Sequence, residues 1–264
     1  MRLPFARRQG SEASAGNRLQ PRVLILTPMK DARPTLDNYV RLLRRLTYPH
    51  DRISLGFLEG DSADGTFEAL RVVQPQLDRE FRRALIWKRD FGYRIPDGLP
   101  RWDESIQFER RSILARSRNH LLFHALDDED WVLWMDADLL DYPADVIERL
   151  LAVGKDIVHP HCVLQFGGPT FDQNAWVDQG QDHMDVLRDH ELVRLDAVGG
   201  TMLLVNADLH RDGLVFPPFM YGLESPRVRR GRGEIETEGL AALAHDMGVE
   251  CWGLPNLEIL HHPF

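Results

Sequence analysis

Apolar positions along the first half of the chain follow two rhythms in turn. Short runs are nearly continuous in aliphatic and aromatic residues: "RVLILTP" from Arg22, "ISLGFLEGD" from Ile53, "ALIWKRDF" from Ala84 and "DWVLWMDAD" from Asp130. That density is expected of strands buried on both faces. Between them, apolar residues recur every three or four positions. "TLDNYVRLLRRLTY" sets Leu36, Tyr39, Val40, Leu42, Leu43 and Leu46 close to helical spacing. "DGTFEALRVVQPQLDREF" reads as a helix interrupted at Pro75. "IQFERRSILARSRNHLLFHAL" reads as a long amphipathic helix after a Pro/Gly-containing loop over residues 93–105. Strand and helix alternating with short connections predict helices packed on a mostly parallel sheet.

The second half is less regular. "PADVIERLLAVG" predicts a helix and "DIVHPHCVL" a strand, followed by a polar, irregular stretch over 166–190. "LVRLDAVGGTMLLVN" predicts a strand pair, or one bent strand, broken at Gly199–Gly200. "TEGLAALAHDMG" predicts a helix ended by Gly248. "PRVRRGRGE", residues 226–234, is basic and poor in apolar residues, and reads as a mobile loop. The start, "MRLPFARRQGSEASAGNRLQP", lacks the apolar core of a secretory signal and reads as a disordered lead over 1–21. Weak peripheral membrane contact through Arg2, Phe5, Arg7 and Arg8 is the most it offers.

The apolar strand "WVLWM" ends on Asp136 and Asp138, and that ending is where chemistry enters. In an open α/β sheet, ligands bind at the carboxyl ends of strands. Side chains two apart on an extended chain point the same way. Two carboxylates so placed repel unless a cation lies between them. A divalent Mg²⁺ or Mn²⁺ resolves the conflict, taking one or two carboxylates and filling its other positions with phosphate oxygens and water. An ordinary alternative is a pair of solvated acids, one of them capping the next helix.

Composition narrows what such a site could serve. With 264 residues, 43% hydrophobic, the chain is long enough for one large domain. A formal charge of -9 argues against a nucleic-acid partner, so a phosphate ligand needs a local device such as a metal or a few placed cations. No apolar run is long enough for a transmembrane segment. Cys162 and Cys251 stand far apart in apolar surroundings, read as reduced core thiols of a cytoplasmic protein.

Other residues fit the same site. Asp61 and Asp64, in "EGDSADGT", could hold ribose hydroxyls or a base edge, or merely cap a helix and form a turn. Arg111, Arg116, Arg118 and Asn119 share one helix, and an arginine facing the pocket would offset pyrophosphate charge. His261 and His262 follow a short apolar run, and imidazole suits Mn²⁺ better than Mg²⁺. "FDQNAW" offers Asn174 and Trp176 as an acceptor platform, a tryptophan face suiting a sugar ring, although buried packing is its commoner fate.

Together these pieces resemble one family. "ILTPMKDA", "LTYPHDRISLGFLEGDSADGT", "RRSILARSRNHLL", "WVLWMDADL", "LDAVGGTMLLVNADLHR", "ETEGLAALAHDMG" and "GLPNLEILHH" occur in the order and spacing of the fungal Golgi α-mannosyltransferases of the mannan polymerase type, glycosyltransferase family 62. The resemblance covers roughly residues 22 to 262. It implies a GT-A fold in a single domain over 22–264, a Rossmann-like sheet with helices on both faces. Residues 22–140 would form the nucleotide-sugar half and 141–264 the acceptor half. It implies GDP-mannose as donor, Mn²⁺ as cofactor, a carbohydrate acceptor and retention of the α configuration.

Carried over by residue, the resemblance makes Asp136 and Asp138 the metal-binding Asp-x-Asp, with His261 completing the site. Thr27, Pro28, Asp31 and Asp61 become nucleoside-binding strand ends. Gly199 and Gly200 pass close to the donor sugar. Glu236 and Glu238 are the acids near the acceptor and the anomeric carbon. The chain departs from the family in having neither the membrane anchor nor the stem, which reads as a soluble, prokaryotic relative. Ala137 replaces a larger aliphatic residue. Two rival readings remain: a non-catalytic nucleotide-sugar-binding subunit, and a GT-A enzyme using another nucleotide sugar. A nucleotidyltransferase is disfavoured because "TPMKDARP" after the first strand lacks the Gly-rich loop.

Overall fold

Val23–Met29 (β1) lies inside the sheet, with every residue but Pro28 buried. Ile53–Glu59 (β2) pairs with it in parallel, and Arg83–Lys88 (β3) extends the sheet in parallel beyond β2. Trp131–Met135 (β4) flanks β1 on its other side, again parallel. The connections are Leu36–Arg45 (α1), Thr66–Glu80 (α2) and Glu104–Ala125 (α3). Alternate residues of β1 divide between two cores. Val23 and Ile25 pack with Leu36 of α1 and Leu70 of α2, whereas Leu24 and Leu26 pack with Ala115 and Leu121 of α3 on the opposite face. The β1 run is therefore continuous because both its faces are covered, whereas β3, at the edge of the sheet, is buried only at Ala84. The computed structural model describes residues 20–229 and 231–263, so Arg2, Phe5, Arg7 and Arg8 lie outside the described residues.

The helix expected to break at Pro75 does not. α2 runs through it to Glu80. Pro75 sits on the exposed side, where water can satisfy the carbonyl its ring leaves unbonded. Buried Leu70 and Leu77 hold the helix to the sheet on either side of it.

Beyond β4 come Leu139–Asp141 (β5), Val146–Ala152 (α4), Ile157–Val163 (β6), Val193–Leu195 (β7), Met202–Asn206 (β8), Ala207–Arg211 (α5), Glu236–Asp246 (α6) and Cys251–His261 (β9). The nine strands among the described residues form one sheet in the order β3-β2-β1-β4-β8-β6-β9-β5, with β7 also on β9. The first-half strands are all parallel. In the second half β8 runs antiparallel to both β4 and β6, while β9 runs parallel to β6 and antiparallel to β5 and β7. The chain does break at Gly199–Gly200, but β7 and β8 do not pair with each other. Each joins a different neighbour.

β9 is longer than the short apolar run foreseen there. Gly253 and Pro255 disguise it, since both weaken a strand pattern. The pairing of β6 with β9 absorbs Pro255 by a register shift: Pro160 faces Leu254, and the next residue, His161, faces Glu258. The basic segment 226–234 is tied down. Arg227 makes a two-pronged bond to Glu250, Arg229 pairs with Glu234 and Glu238, and Val228 is buried.

Candidate functional site

Two stretches of chain far apart in sequence deliver the acids and the histidine. β4 ends at Met135, so Asp136 leaves the sheet at its carboxyl edge, and its N–H donates to the Thr201 carbonyl at 2.9 Å, just before β8. β5 begins at Leu139, which pairs with His261 at the end of β9. That pairing sets Asp138 beside His261. Asp136, Asp138 and His261 each offer one ligand atom, and these atoms all lie within 4.8 Å of one another.

The geometry around His261 suits a metal ligand. Its Nδ1 donates to the His262 carbonyl at 2.8 Å, which leaves Nε2 facing Asp138, 3.1 Å away, where it donates a proton to the carboxylate or, once deprotonated, offers its lone pair to a cation between them. Burial works against charge on both partners, yet each outweighs it for the other. The Asp138 pKa is held below the usual carboxylate range by His261, and the His261 pKa is raised by Asp138. Burial pushes Asp136 up to about 6, against the opposing pull of Arg118 and with the added push of Asp138. A divalent cation among these groups would relieve that conflict. Two carboxylate oxygens and one imidazole form a donor set that fits Mn²⁺.

The cleft in front of them has a volume of about 540 Å³. Pro28, Asp31, Asp61, Asp136 and Asp138 all line it, and the β1–β4 register, with Leu26 opposite Trp134, brings Pro28 level with Asp136. Asp31 and Asp61 both adopt positive φ, 50° and 59°. Each carboxylate also fastens a loop: Asp31 accepts the Ala63 N–H, and Asp61 accepts those of Phe91 and Gly92. Asp64 forms a turn with Gly65 ahead of α2, as the plainer reading had it, and accepts the Thr66 N–H at 3.0 Å and the Arg33 N–H at 2.9 Å. Thr27 is fully buried, its hydroxyl 2.6 Å from the Tyr39 hydroxyl, so it underlies the cleft rather than facing it.

Several expected residues sit elsewhere. On α3, one helical face, Arg110, Ile113, Leu114, Ser117 and Arg118, lines the cleft. Arg116 lies off that face, exposed over the Phe91 ring. Asn119 is spent on a clamp, exchanging hydrogen bonds with the Phe216 backbone at 2.7 and 2.9 Å. The three-to-four spacing of that face was the available signal for Arg110 and Arg118. Lys30, Tyr93 and Arg101 also line the cleft and were not foreseen.

Trp176 cannot serve as an acceptor platform. It is fully buried, its indole N–H donates to Glu238 at 2.8 Å, and the Arg229 guanidinium covers its ring. Asn174 is half-buried, and its backbone N–H donates to Asp172. Gly199 and Gly200 are buried, and a methyl group at either would meet protein: at Gly199 the Asp172 carboxylate, at Gly200 the Arg118 guanidinium. Their missing side chains make room for those groups, not directly for a sugar.

The two glutamates differ. Glu238 is fully buried and occupied by Arg111, Arg229 and Trp176. Glu236, at positive φ of 60°, accepts from Arg118 Nε at 2.9 Å, and Arg118 Nη2 reaches Asp136 at 3.4 Å. Arg118 thus joins Glu236 to the metal-site acids, while its buried Nη1 has no acceptor among the described residues.

Comparison with known proteins places this architecture. The chain matches the Anp1 family over residues 7–188 and 181–220. It is 32% identical to the mannan polymerase complex subunit MNN9 of Candida albicans, over 91% of this chain and 74% of that protein. The chain belongs to the Anp1 family. It is likewise 32% identical to the mnn9 subunit of Schizosaccharomyces pombe, over 96% of this chain and 83% of that protein.

Among solved structures, this Anp1-family chain resembles the mannosyltransferase PcManGT from Pyrobaculum calidifontis in complex with GDP-Man and Mn²⁺. The TM-score is 0.57 at 18% identity, covering 92% of this chain and 57% of that one. It also resembles S. aureus TarS 1-349 in complex with UDP, with a TM-score of 0.53 at 12% identity, covering 90% and 59%. The chain spans less than two thirds of either solved neighbour, and at these identities the likeness is one of fold: GT-A. Family and fold together make the chain a glycosyltransferase.

Proposed function

We propose that this Anp1-family protein transfers mannose from GDP-mannose to a hydroxyl of a carbohydrate acceptor, retaining the α configuration, with Mn²⁺ held by Asp136, Asp138 and His261. The observation that carries the reading is the convergence of those three ligand atoms at the carboxyl end of β4, beside a cleft able to take a nucleotide. The solved neighbour's complex with GDP-Man and Mn²⁺ supports the choice of donor and metal. Mg²⁺ ranks second because one donor is an imidazole. When bound, the metal supplies Lewis-acid charge stabilisation on the diphosphate leaving group.

The chain's own residues supply the rest. Pro28, Asp31 and Asp61, which line the same cleft, would hold the nucleoside. Arg118, fixed by Glu236 and lining the cleft beside Asp136, would set its positive charge near the diphosphate of the bound donor. Glu236 rather than Glu238 is the acid coupled to the reacting end, because Glu238 is enclosed by Arg111, Arg229 and Trp176.

GDP release from GDP-mannose, with and without Mn²⁺, tests the reading in wild type and Asp138→Ala. Release that needs Mn²⁺ and disappears in the variant is expected. A folded wild type that neither binds nor cleaves GDP-mannose would overturn the donor. The relatives' description as subunits of a complex favours a second reading, a nucleotide-sugar-binding subunit without turnover. Mn²⁺-dependent GDP binding without release would select it.

A further inference from the structure

The segment "FDQNAW", read from sequence as an acceptor platform, runs behind the metal acids instead. Phe171 lays its ring on His261, with centroids 4.2 Å apart and planes 27° from parallel. Its backbone N–H donates to the Cys162 carbonyl at 2.8 Å, and Cys162 lies on β6 opposite Ile259 of β9. The ring is thus anchored to β6, the strand paired with the one that carries His261.

The next residue reaches the other side of the site. Asp172, 6% exposed, accepts from the Thr201 backbone N–H at 3.2 Å and from the Thr201 hydroxyl at 2.9 Å, both on one oxygen. The Thr201 carbonyl in turn receives the Asp136 N–H. The carboxylate fills the space left by the missing side chain of Gly199. Two consecutive residues therefore touch both arms of the site: one packs on the histidine, the other fixes the backbone that holds Asp136.

We infer that Phe171 and Asp172 are positioning residues of the metal site, forming a clamp behind it. Phe171 sets the plane of the His261 imidazole so that Nε2 faces Asp138. Asp172 sets, through Thr201, where Asp136 leaves β4. A ligand triad assembled from two distant stretches needs such support, because each ligand sits near a strand end where the ladder stops fixing the backbone. The inference rests on the metal reading of Asp136, Asp138 and His261. It assigns a role to residues that neither touch the ligand nor belong to the Asp-x-Asp.

The test is a Mn²⁺ titration of the full chain without donor, following the EPR signal of free Mn²⁺, with thermal melts alongside. Phe171→Tyr keeps a planar ring and is expected to bind within about threefold of wild type. Phe171→Leu keeps apolar bulk but no plane, and is expected to weaken Mn²⁺ binding at least about tenfold, in the range known for residues that hold a metal-ligating histidine in place, while melting close to the tyrosine variant. Equal affinities for the leucine and tyrosine variants would overturn the clamp. Should the leucine variant fail to fold, Asp172→Asn carries the same test, with about tenfold weaker binding expected and wild-type affinity counting against the idea. A wild type that does not bind Mn²⁺ overturns the metal reading, and the clamp falls with it. Wild-type binding with indifferent variants overturns the clamp alone.

Discussion

His261 Nε2 lies 3.1 Å from Asp138 Oδ1, and the backbone joins the same stretches again where the His262 N–H donates to the Asp138 carbonyl at 3.1 Å. The contact follows from the pairing of β5 with β9 and needs no ion to form. The affinity of the site for a cation should therefore depend on the side chains that this pairing brings together.

Mn²⁺ should raise the thermal stability of wild type, because a ligand bound only by the folded state stabilises it by about 2.7 kcal/mol at a hundred times its Kd. His261→Ala and Asp138→Ala should abolish that increment while keeping most of the metal-free stability, since both side chains lie at a strand end. Scanning calorimetry with and without Mn²⁺ measures this. An undiminished increment in both variants would remove the pair from the metal site.

Arg118→Lys should lower GDP release from GDP-mannose at least about tenfold. Lysine keeps the charge but cannot bridge Glu236, Asp136 and the Gly200 carbonyl from one planar group. Arg118→Met should in addition cost about 3 kcal/mol of stability, because Glu236 is then left buried without its close cation. Steady-state rates beside urea melts separate the two effects.

Stability should fall in acid through His210. Its Nδ1 donates to the Leu214 carbonyl at 2.7 Å and its Nε2 accepts the Trp134 indole N–H at 3.3 Å, an arrangement only the neutral ring can make. Burial pushes its pKa down to about 4, from 6.5 when unfolded. The unfolded chain thus binds the extra proton first. The contribution is complete above pH 6.5 and is lost as the pH falls toward 4, on the order of 3 kcal/mol in all. His210→Asn should flatten that part of the stability profile, as urea unfolding across the window would reveal.

Trp176→Phe should destabilise the fold by about 1 to 3 kcal/mol, because Glu238 loses a buried indole donor. It should leave the KM for an acceptor sugar near its wild-type value. A selective rise in acceptor KM at unchanged stability would return Trp176 to the acceptor site.

The alternation of buried strands and amphipathic helices was written in the order of the residues, since a strand covered on both faces must be apolar throughout and a helix covered on one must repeat near 3.6. So was the pair Asp136 and Asp138, because nothing in a core explains two acids at the end of "WVLWM". The continuity of α2 through Pro75 was hidden, because the cost of a proline depends on whether its side of the helix is wet. β9 was hidden by Gly253 and Pro255, which a strand tolerates only where its neighbour's register can shift.

What tertiary structure alone decided was which polar side chains remain for chemistry. Trp176, Asn119 and Glu238 have the right side chains for a sugar-nucleotide site, and in the fold each is engaged with protein. Arg118, one of four candidates on a single helix, reaches the cleft because its face of α3 turns inward. His261 joins the site because β9 pairs with β5, and Phe171 meets it because β6 runs alongside. Local sequence fixes the period and polarity of a segment through the chain's own stereochemistry. Which segments meet is set by long-range pairing, and the availability of a polar group is set by whatever the packed chain leaves unbonded.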